Sequence, residues 1–426
     1  MTVYHAAVYS LAAISAISLV YPTTCRLAIT ELQLMCSLFR LSPTQFSPIQ
    51  GCIIKKAFSI ACAIIAPALI SQSANAEFDY FKTDGSFKRF SVSVGWLHAK
   101  PSGDATPVKN STIIKDGSTH KNGSVKASTV IDVLDPNQNP KTFKKVSDTL
   151  GLLGDTDLSK VPLLGDVSGE TTIYGLENFA TAGTGLESDN VNTVGMLFNY
   201  YINDNWGVEL KAGIPPRVDI LGKGEVIAPF TGEVSPSGAG STLVGDFDIK
   251  KDIQITDLTQ GNGVSASARA WLPAALVQYQ FGKSGVNKFR PYVGVGAMYA
   301  YFNDIKMNQG LVNDLAVAGG RLQLIKDDKA GAALGTKEEI RKNPSAGVAD
   351  MKVKSKADSA IAPIINVGAT YDFNESWYAV GSLSYAKLDS DTTITVENAA
   401  GEQLIEAVSN IDIDPYISYL GVGYRF

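Results

Sequence analysis

The stretch Tyr416-Ile417-Ser418-Tyr419-Leu420-Gly421-Val422-Gly423-Tyr424-Arg425-Phe426 alternates with a period of two. Phe426, Tyr424, Val422 and Leu420 make one wholly apolar row, and Arg425, Gly423 and Gly421 between them are charged or small. Successive side chains of a strand point to opposite faces, so this is a strand with one lipid-compatible face and one mixed face. An edge strand of a soluble sandwich would give the same row, and the rest of the chain separates the two readings.

Working back from residue 414, seven more segments read as strands, near 88–99, 191–202, 205–214, 268–281, 289–302, 361–372 and 376–388. Apolar rows recur in them: Phe90, Val92, Val94 and Trp96; Val194, Met196, Phe198 and Tyr200; Val293, Val295, Ala297, Tyr299 and Tyr301. Aromatics gather at segment ends (Trp96, Trp206, Trp271, Trp377, Tyr279, Phe281), as girdles at two bilayer interfaces would require. Short connections at Asn203-Asp204-Asn205, 282–288 and Asn374-Glu375 carry turn chemistry. They alternate strictly with long ones near 100–190, 215–267, 303–360 and 389–413. A soluble sandwich has no reason to place every long loop on one side. The pattern predicts an all-β fold, an eight-stranded antiparallel transmembrane β-barrel with short periplasmic turns and long extracellular loops. The row Leu420, Val422, Tyr424, Phe426 then reads as the signal by which barrel-assembly machinery takes up the C-terminal strand.

The front end fits that destination. Lys55-Lys56, an apolar run over 57–69 and Ser73-Ala74-Asn75-Ala76 have the layout of a secretory signal peptide, so 55–76 is expected to be cut after Ala76. Residues 1–54 are expected to be an upstream extension of the true start or an extended leader; their apolar run at 6–20 is short for a membrane span. The mature domain is then 77–426, exported to the bacterial outer membrane. No run of about eighteen apolar residues follows Ala76, which excludes a helical span. Cys25, Cys36, Cys52 and Cys62 all precede the cut, leaving no cysteine for a disulfide, zinc cluster or thiol nucleophile, and no cofactor or metal is expected. Removing Arg26, Arg40, Lys55, Lys56 and Glu31 from 37 basic and 42 acidic residues leaves a net charge of −8, which disfavours nucleic acid as a partner.

Several stretches resemble the OmpW family of small outer-membrane barrels. They are Tyr200-Tyr201-Ile202-Asn203-Asp204-Asn205-Trp206-Gly207-Val208-Glu209-Leu210, Leu272-Pro273 leading to Gln278-Tyr279-Gln280-Phe281, Arg290-Pro291-Tyr292-Val293-Gly294-Val295-Gly296, and the ending from Ile413-Asp414-Pro415 to Phe426. The resemblance covers the strands and not the long loops, the first of which is far larger than the family usually has. Pro215-Pro216-Arg217-Val218-Asp219-Ile220 is similar to the family's Pro-x-x-His-x-Ile, with Val218 where histidine is common, so no role of that histidine carries over. The resemblance implies passage of small hydrophobic molecules through an apolar interior, with lateral release into the bilayer.

An eight-stranded barrel is narrow enough for side chains nearly to fill. With the first strand rising from the periplasm, the inward rows place Leu197, Leu272, Leu276, Met298, Ile417 and Tyr419 towards the outer end. Asn199, Glu209, Gln278, Gln280 and Arg425 fall towards the periplasm, with Glu209 and Arg425 expected to pair. An apolar funnel over a polar floor suits an apolar guest, and ordinary filling of a tight barrel would use the same residues. Pro273 inside the fourth strand and Pro215-Pro216 ending the third cannot donate to a ladder, which predicts an under-bonded lateral seam, or a bulge that only adjusts curvature.

No catalytic site is expected. His98 at the top of the first strand is the one candidate base near the rim, and no Gly-x-Ser-x-Gly elbow accompanies it. Gly282-Lys283-Ser284 lacks the earlier glycine of a phosphate loop, and Asp135-Pro136-Asn137-Gln138-Asn139 lacks the glycine and closing glutamate of a calcium loop. The competing function is a barrel that anchors large acidic loops for a surface partner. The first loop's near-repeat, Leu152-Leu153-Gly154-Asp155 and Leu163-Leu164-Gly165-Asp166, reads as turn sequence rather than a lid, and Lys337–Lys342 as a solvated helix. Loops this long are expected to be functional or poorly ordered.

Overall fold

The computed structural model describes residues 87–426. The leader and the signal peptide expected at 1–54 and 55–76 lie outside the described residues. Eight strands form the barrel: β1 (Phe90–Lys100), β2 (Val191–Tyr201), β3 (Trp206–Gly213), β4 (Ala274–Gln280), β5 (Phe289–Met307), β6 (Ala360–Asp372), β7 (Trp377–Ala386) and β8 (Tyr416–Arg425). Each pairs antiparallel with its neighbour in sequence, and β8 closes the ring on β1 from Ser91↔Arg425 to Lys100↔Tyr416. Closure matters because a bilayer offers no hydrogen bonds to an open edge.

The two rows of each strand separate as their chemistry requires. On the outside Leu420 is 63% exposed, Val422 50% and Phe426 54%, values that only a lipid solvent makes favourable for a row of this kind. Aromatic rings belt the turn-side end. Phe90 lies 6.0 Å from Phe426 and 5.1 Å from Tyr200, Trp206 and Phe281 flank Tyr279, and Trp377 meets Tyr424 edge-on. On the inside, Tyr292, Tyr378 and Tyr419 are buried, and glycines on the same inward rows make room for them. A Cβ at Gly368 would run into the Tyr292 ring, one at Gly423 into Tyr378 and one at Gly421 into Tyr419. Ring over glycine lets a narrow barrel fill its lumen without voids.

Above the barrel the long loops fold together, so of the two expectations for them, functional or poorly ordered, the second does not hold. Phe247–Asp257, Glu225–Ser235, Glu170–Tyr174 and Ser118–Lys121 form a four-stranded sheet. Lys352–Ala357, Asp389–Glu397, Gln403–Asp412, Lys109–Thr112 and Asn178–Ala180 form a five-stranded one. Between them runs an 18-residue helix, α1 (Gln309–Lys326), buried on most sides, as only a helix in the middle of a core can be. One apolar cluster joins Val226, Phe230, Ile249, Leu311, Leu324 and Leu404, residues from the second, third and fourth loops, to Ile173 and Leu158 from the first. All four loops contribute buried side chains to this one cluster, so the physical reason for order lies between loops. The two Leu-Leu-Gly-Asp copies do form turns, but as corners of this folded cap. Lys337–Lys342 is a helix with a Thr336/Glu339 capping box, and it is not simply solvated, since Ile340 is fully buried in the cap.

Candidate functional site

The inward rows set the chemistry of the lumen. Towards the periplasm, Asn199, Glu209, Gln278, Gln280 and Arg425 are all buried. Gln278 Nε2 donates to Asn199 Oδ1 at 2.9 Å, and Gln280 Nε2 to Thr370 Oγ1 at 2.8 Å. Arg425 does not pair with Glu209. Its guanidinium lies 2.6 Å from Asp372 Oδ1 and 4.4 Å over the Tyr378 ring. Asp372 ends β6, two strands from β8 at the same turn-side height, whereas Glu209 is already engaged on its own strand. Lys211, two residues further up the same inward row of β3, lies 3.5 Å from Glu209 and donates to Ser384 Oγ at 2.8 Å. Ser384 donates to Asn366 Oδ1 at 2.9 Å, and Asn366 Nδ2 returns to Glu209 Oε1 at 3.3 Å. This closed loop of four side chains holds a buried ion pair with hydrogen bonds around it, the condition under which burial is tolerated. Lys211, Asn366, Ser384 and Asp372 were not singled out from sequence. Lys211 shares Glu209's parity and was legible there; the β6 and β7 partners show only in the barrel.

The six apolar candidates divide by height. Leu197 and Tyr419 pack with Tyr292, Tyr378 and Val380 at mid-barrel, lower than the outer end expected of them. Leu276, Met298 and Ile417 form the layer above, with Ile364, Ala274 and Ala300. The boundary with the polar floor is oblique: Leu276 sits directly across from Glu209 in the β3–β4 register. Leu272 alone of the six lines the apolar chamber above, between barrel mouth and cap. Its walls include Val218, Ala270, Phe302, Leu315 and Ile413. At its rim Lys387 bridges Asp412, at 3.3 Å, and Asp414, whose other oxygen accepts the Leu388 N–H at 2.9 Å. The hydrogen bond to Asp414 raises the Lys387 pKa; burial would raise the Asp414 carboxyl, but its hydrogen bonds to Lys387 and Leu388 outweigh that and lower it.

The prolines lie where two ladders part. Below them β3 pairs with β4 up to Lys211↔Ala274; above them Arg217–Lys223 pairs with Val264–Trp271 from Arg217↔Arg269. Pro215, Pro216 and Pro273 fall in the break between, where Ala270 N–H donates to Pro216 O at 3.0 Å. Ile214 beside it is 57% exposed on the outer surface. His98 lies on the outward row, stacked on Trp96 at 5.7 Å and 3.0 Å from Asn192 Oδ1.

Residues 164–336 match the OmpW family profile, a span that contains β2 to β5. Outer membrane protein W of Vibrio cholerae is 25% identical over 238 residues, covering 56% of this chain and 75% of that protein. Outer membrane protein W of Escherichia coli is 24% identical over 242 residues, covering 57% and 76%. Among solved structures, the outer membrane protein OprG from Pseudomonas aeruginosa aligns over 80% of this chain and 97% of its own, at 16% identity and a TM-score of 0.39. With its lipid-facing rows and its aromatic belt, the chain is a closed eight-stranded outer-membrane β-barrel that is similar to the OmpW family over 164–336.

Proposed function

We propose that the barrel passes small hydrophobic molecules inward from the cell surface and releases them sideways into the bilayer. The observation that carries this reading is the adjacency of the apolar chamber to the break in the β3–β4 ladder. Ala270 and Leu272 line the chamber, and they flank the break at Pro273. A guest that leaves water for such a chamber gains roughly 25 cal/mol per Å² of apolar surface buried. Below it, the Glu209–Lys211–Ser384–Asn366 loop and the buried tyrosines oppose straight descent, so the break is the exit of least cost. Leu272 lines the chamber, Leu276, Met298 and Ile417 form the apolar layer beneath it with Leu197 and Tyr419 lower still, and Asn199, Glu209, Gln278, Gln280 and Arg425 serve as the floor. Cleavage after Ala76 and uptake of the Leu420–Phe426 row by the assembly machinery deliver the chain to its membrane.

The test is uptake of a small apolar and a small polar probe into liposomes holding the refolded mature protein, wild type against Leu276→Arg. Selective apolar uptake that the variant loses by about tenfold or more supports the lumen route, since an unpaired charge there costs several kcal/mol. Absence of uptake by a correctly folded wild-type barrel overturns it. One observation favours a second reading, a surface-interaction protein: Leu152 and Leu163 at the corners of the cap are 89% and 105% exposed. Apolar tips of this kind are also what a docking loop presents.

A further inference from the structure

The strands above the break turn one row to the chamber and the other to the outside. Val218, Ala268 and Ala270 line the chamber. Arg217, Arg269 and Trp271 have the opposite parity, so they point outward. In the ladder Arg217 stands directly across from Arg269, and Arg269 across from Asn303 on β5. Trp271 stands across from Tyr301, two residues nearer the break. Trp96, Trp271 and Tyr416 are exposed on outward rows at this end of the barrel and make its outer girdle. The two arginines lie just beyond that girdle on the cap side, at the level of lipid head groups.

Like charges directly opposite in a ladder repel. Neighbours relieve one of them and not the other. Arg217 donates Nη2 to the Asp304 carboxylate and Nη1 to Ser267 Oγ at 3.1 Å. Arg269 has no carboxylate partner among the described residues. Its one side-chain contact there is Nη1 to Pro215 O at 3.5 Å, long for a hydrogen bond. Lys306 and Asp219, both exposed, flank Ser267 on either side and cancel each other's charge. The half-buried Arg269 is therefore a cation with most of its five donors free, above an outward surface of Trp271 and Ile214. That surface continues into the lipid-facing wall. A planar guanidinium fork matches a phosphate in shape and charge, and the apolar surface below matches an acyl chain. A free anion would satisfy only the first.

We propose that Arg269, with Arg217 beside it, binds the phosphate of an outer-leaflet lipid whose acyl chain lies over Trp271 and Ile214, along the outer side of the β3–β4 break. The site does not depend on the transport reading, because it is measured as binding whether or not anything crosses the barrel. The experiment is native mass spectrometry of the refolded mature protein in neutral detergent, titrated with dilauroyl phosphatidic acid and with dilauroylglycerol, which lacks the phosphate. Wild type should bind the phosphatidate about tenfold or more tighter, as charge-assisted hydrogen bonds require. Millimolar inorganic phosphate should leave it bound; displacement would assign the site to the free anion and overturn the lipid. Arg269→Gln should bring the phosphatidate close to dilauroylglycerol, and Arg269→Lys should recover part of the difference. Asp304→Asn, which frees Arg217, should tighten the phosphatidate several-fold, an effect that a purely structural Arg269 does not produce. Equal phosphatidate binding by wild type and Arg269→Gln would defeat the proposal. Labelling of wild type stands apart from any misfolding of the variants: a phosphatidate with a diazirine in its acyl chain should mark Ile214, Trp271 or Tyr301. Adducts confined to the turn-side girdle at Phe90, Trp206 and Trp377 would place the lipid elsewhere and overturn the site.

Discussion

Glu209 and Lys211 stand two residues apart on β3, so the strand itself aims both into the lumen. Removing one partner leaves the other buried and unpaired. Lys211→Met should therefore destabilise the barrel by about 3–5 kcal/mol, whereas Glu209→Leu with Lys211→Met should lie close to wild type. Denaturant midpoints in lipid vesicles, followed by tryptophan fluorescence, measure both; equal losses in the single and double variants would show that the pair is not coupled. At this scale much was legible in advance. Parity along each strand told Asn199, Gln278, Gln280 and Arg425 from their lipid-facing neighbours, because a one-residue shift reverses every side chain. The partner of Arg425 was not legible. Which carboxylate faces it depends on strand order around the ring and on the height at which β6 ends, and neither is a property of the Arg425 neighbourhood in sequence.

Among the elements, β3 and β4 differ from the other barrel pairs in that their ladder breaks at prolines and resumes above in Arg217–Lys223 and Val264–Trp271. A disulfide joining Ala212→Cys to Pro273→Cys, one step beyond the Lys211↔Ala274 pair, should close this break. Apolar uptake should then fall several-fold under oxidising conditions and return on reduction; unchanged uptake would remove the seam from the route. The prolines announced this break because each lacks the N–H a ladder needs. The cap's strands went unread for a different reason. Val226, Ala228, Phe230 and Val234 alternate cleanly within Glu225–Ser235 and are buried, a period-two signal as clear as those of the barrel. It does not by itself reveal a cap, because the apolar rows that face it come from other loops.

For the molecule as a whole, barrel and cap are held by different ladders. The eight barrel strands close on one another without help from the two cap sheets, although the upper end of β5 and the strands above β3 and β4 reach into the cap region. Replacing the four long loops with short turns should leave an inserted, heat-modifiable barrel. On the transport reading it keeps much of its apolar uptake but binds the probe more weakly, having lost the part of the chamber wall that Leu311 and Leu315 supply. Uptake unaffected in both respects would show that the cap takes no part in it, and loss of a surface-binding activity alone would favour the second reading.

The two cap sheets are also interleaved. The five-stranded one draws Lys109–Thr112 and Asn178–Ala180 from the first loop, Lys352–Ala357 from the third, and Asp389–Glu397 with Gln403–Asp412 from the fourth. The other joins the first loop to the second. Three pairings are hairpins within one loop, but Gln403–Asp412 with Lys109–Thr112, Glu225–Ser235 with Glu170–Tyr174 and Lys352–Ala357 with Asp389–Glu397 join different loops, so the cap is complete only once the strands between those loops have crossed the bilayer. Once it is, a body of two sheets and a buried helix cannot be drawn back through a barrel whose lumen is filled with tyrosine. A folded cap on one end of the barrel would thus oppose reversal of the inserted protein and hold it one way up.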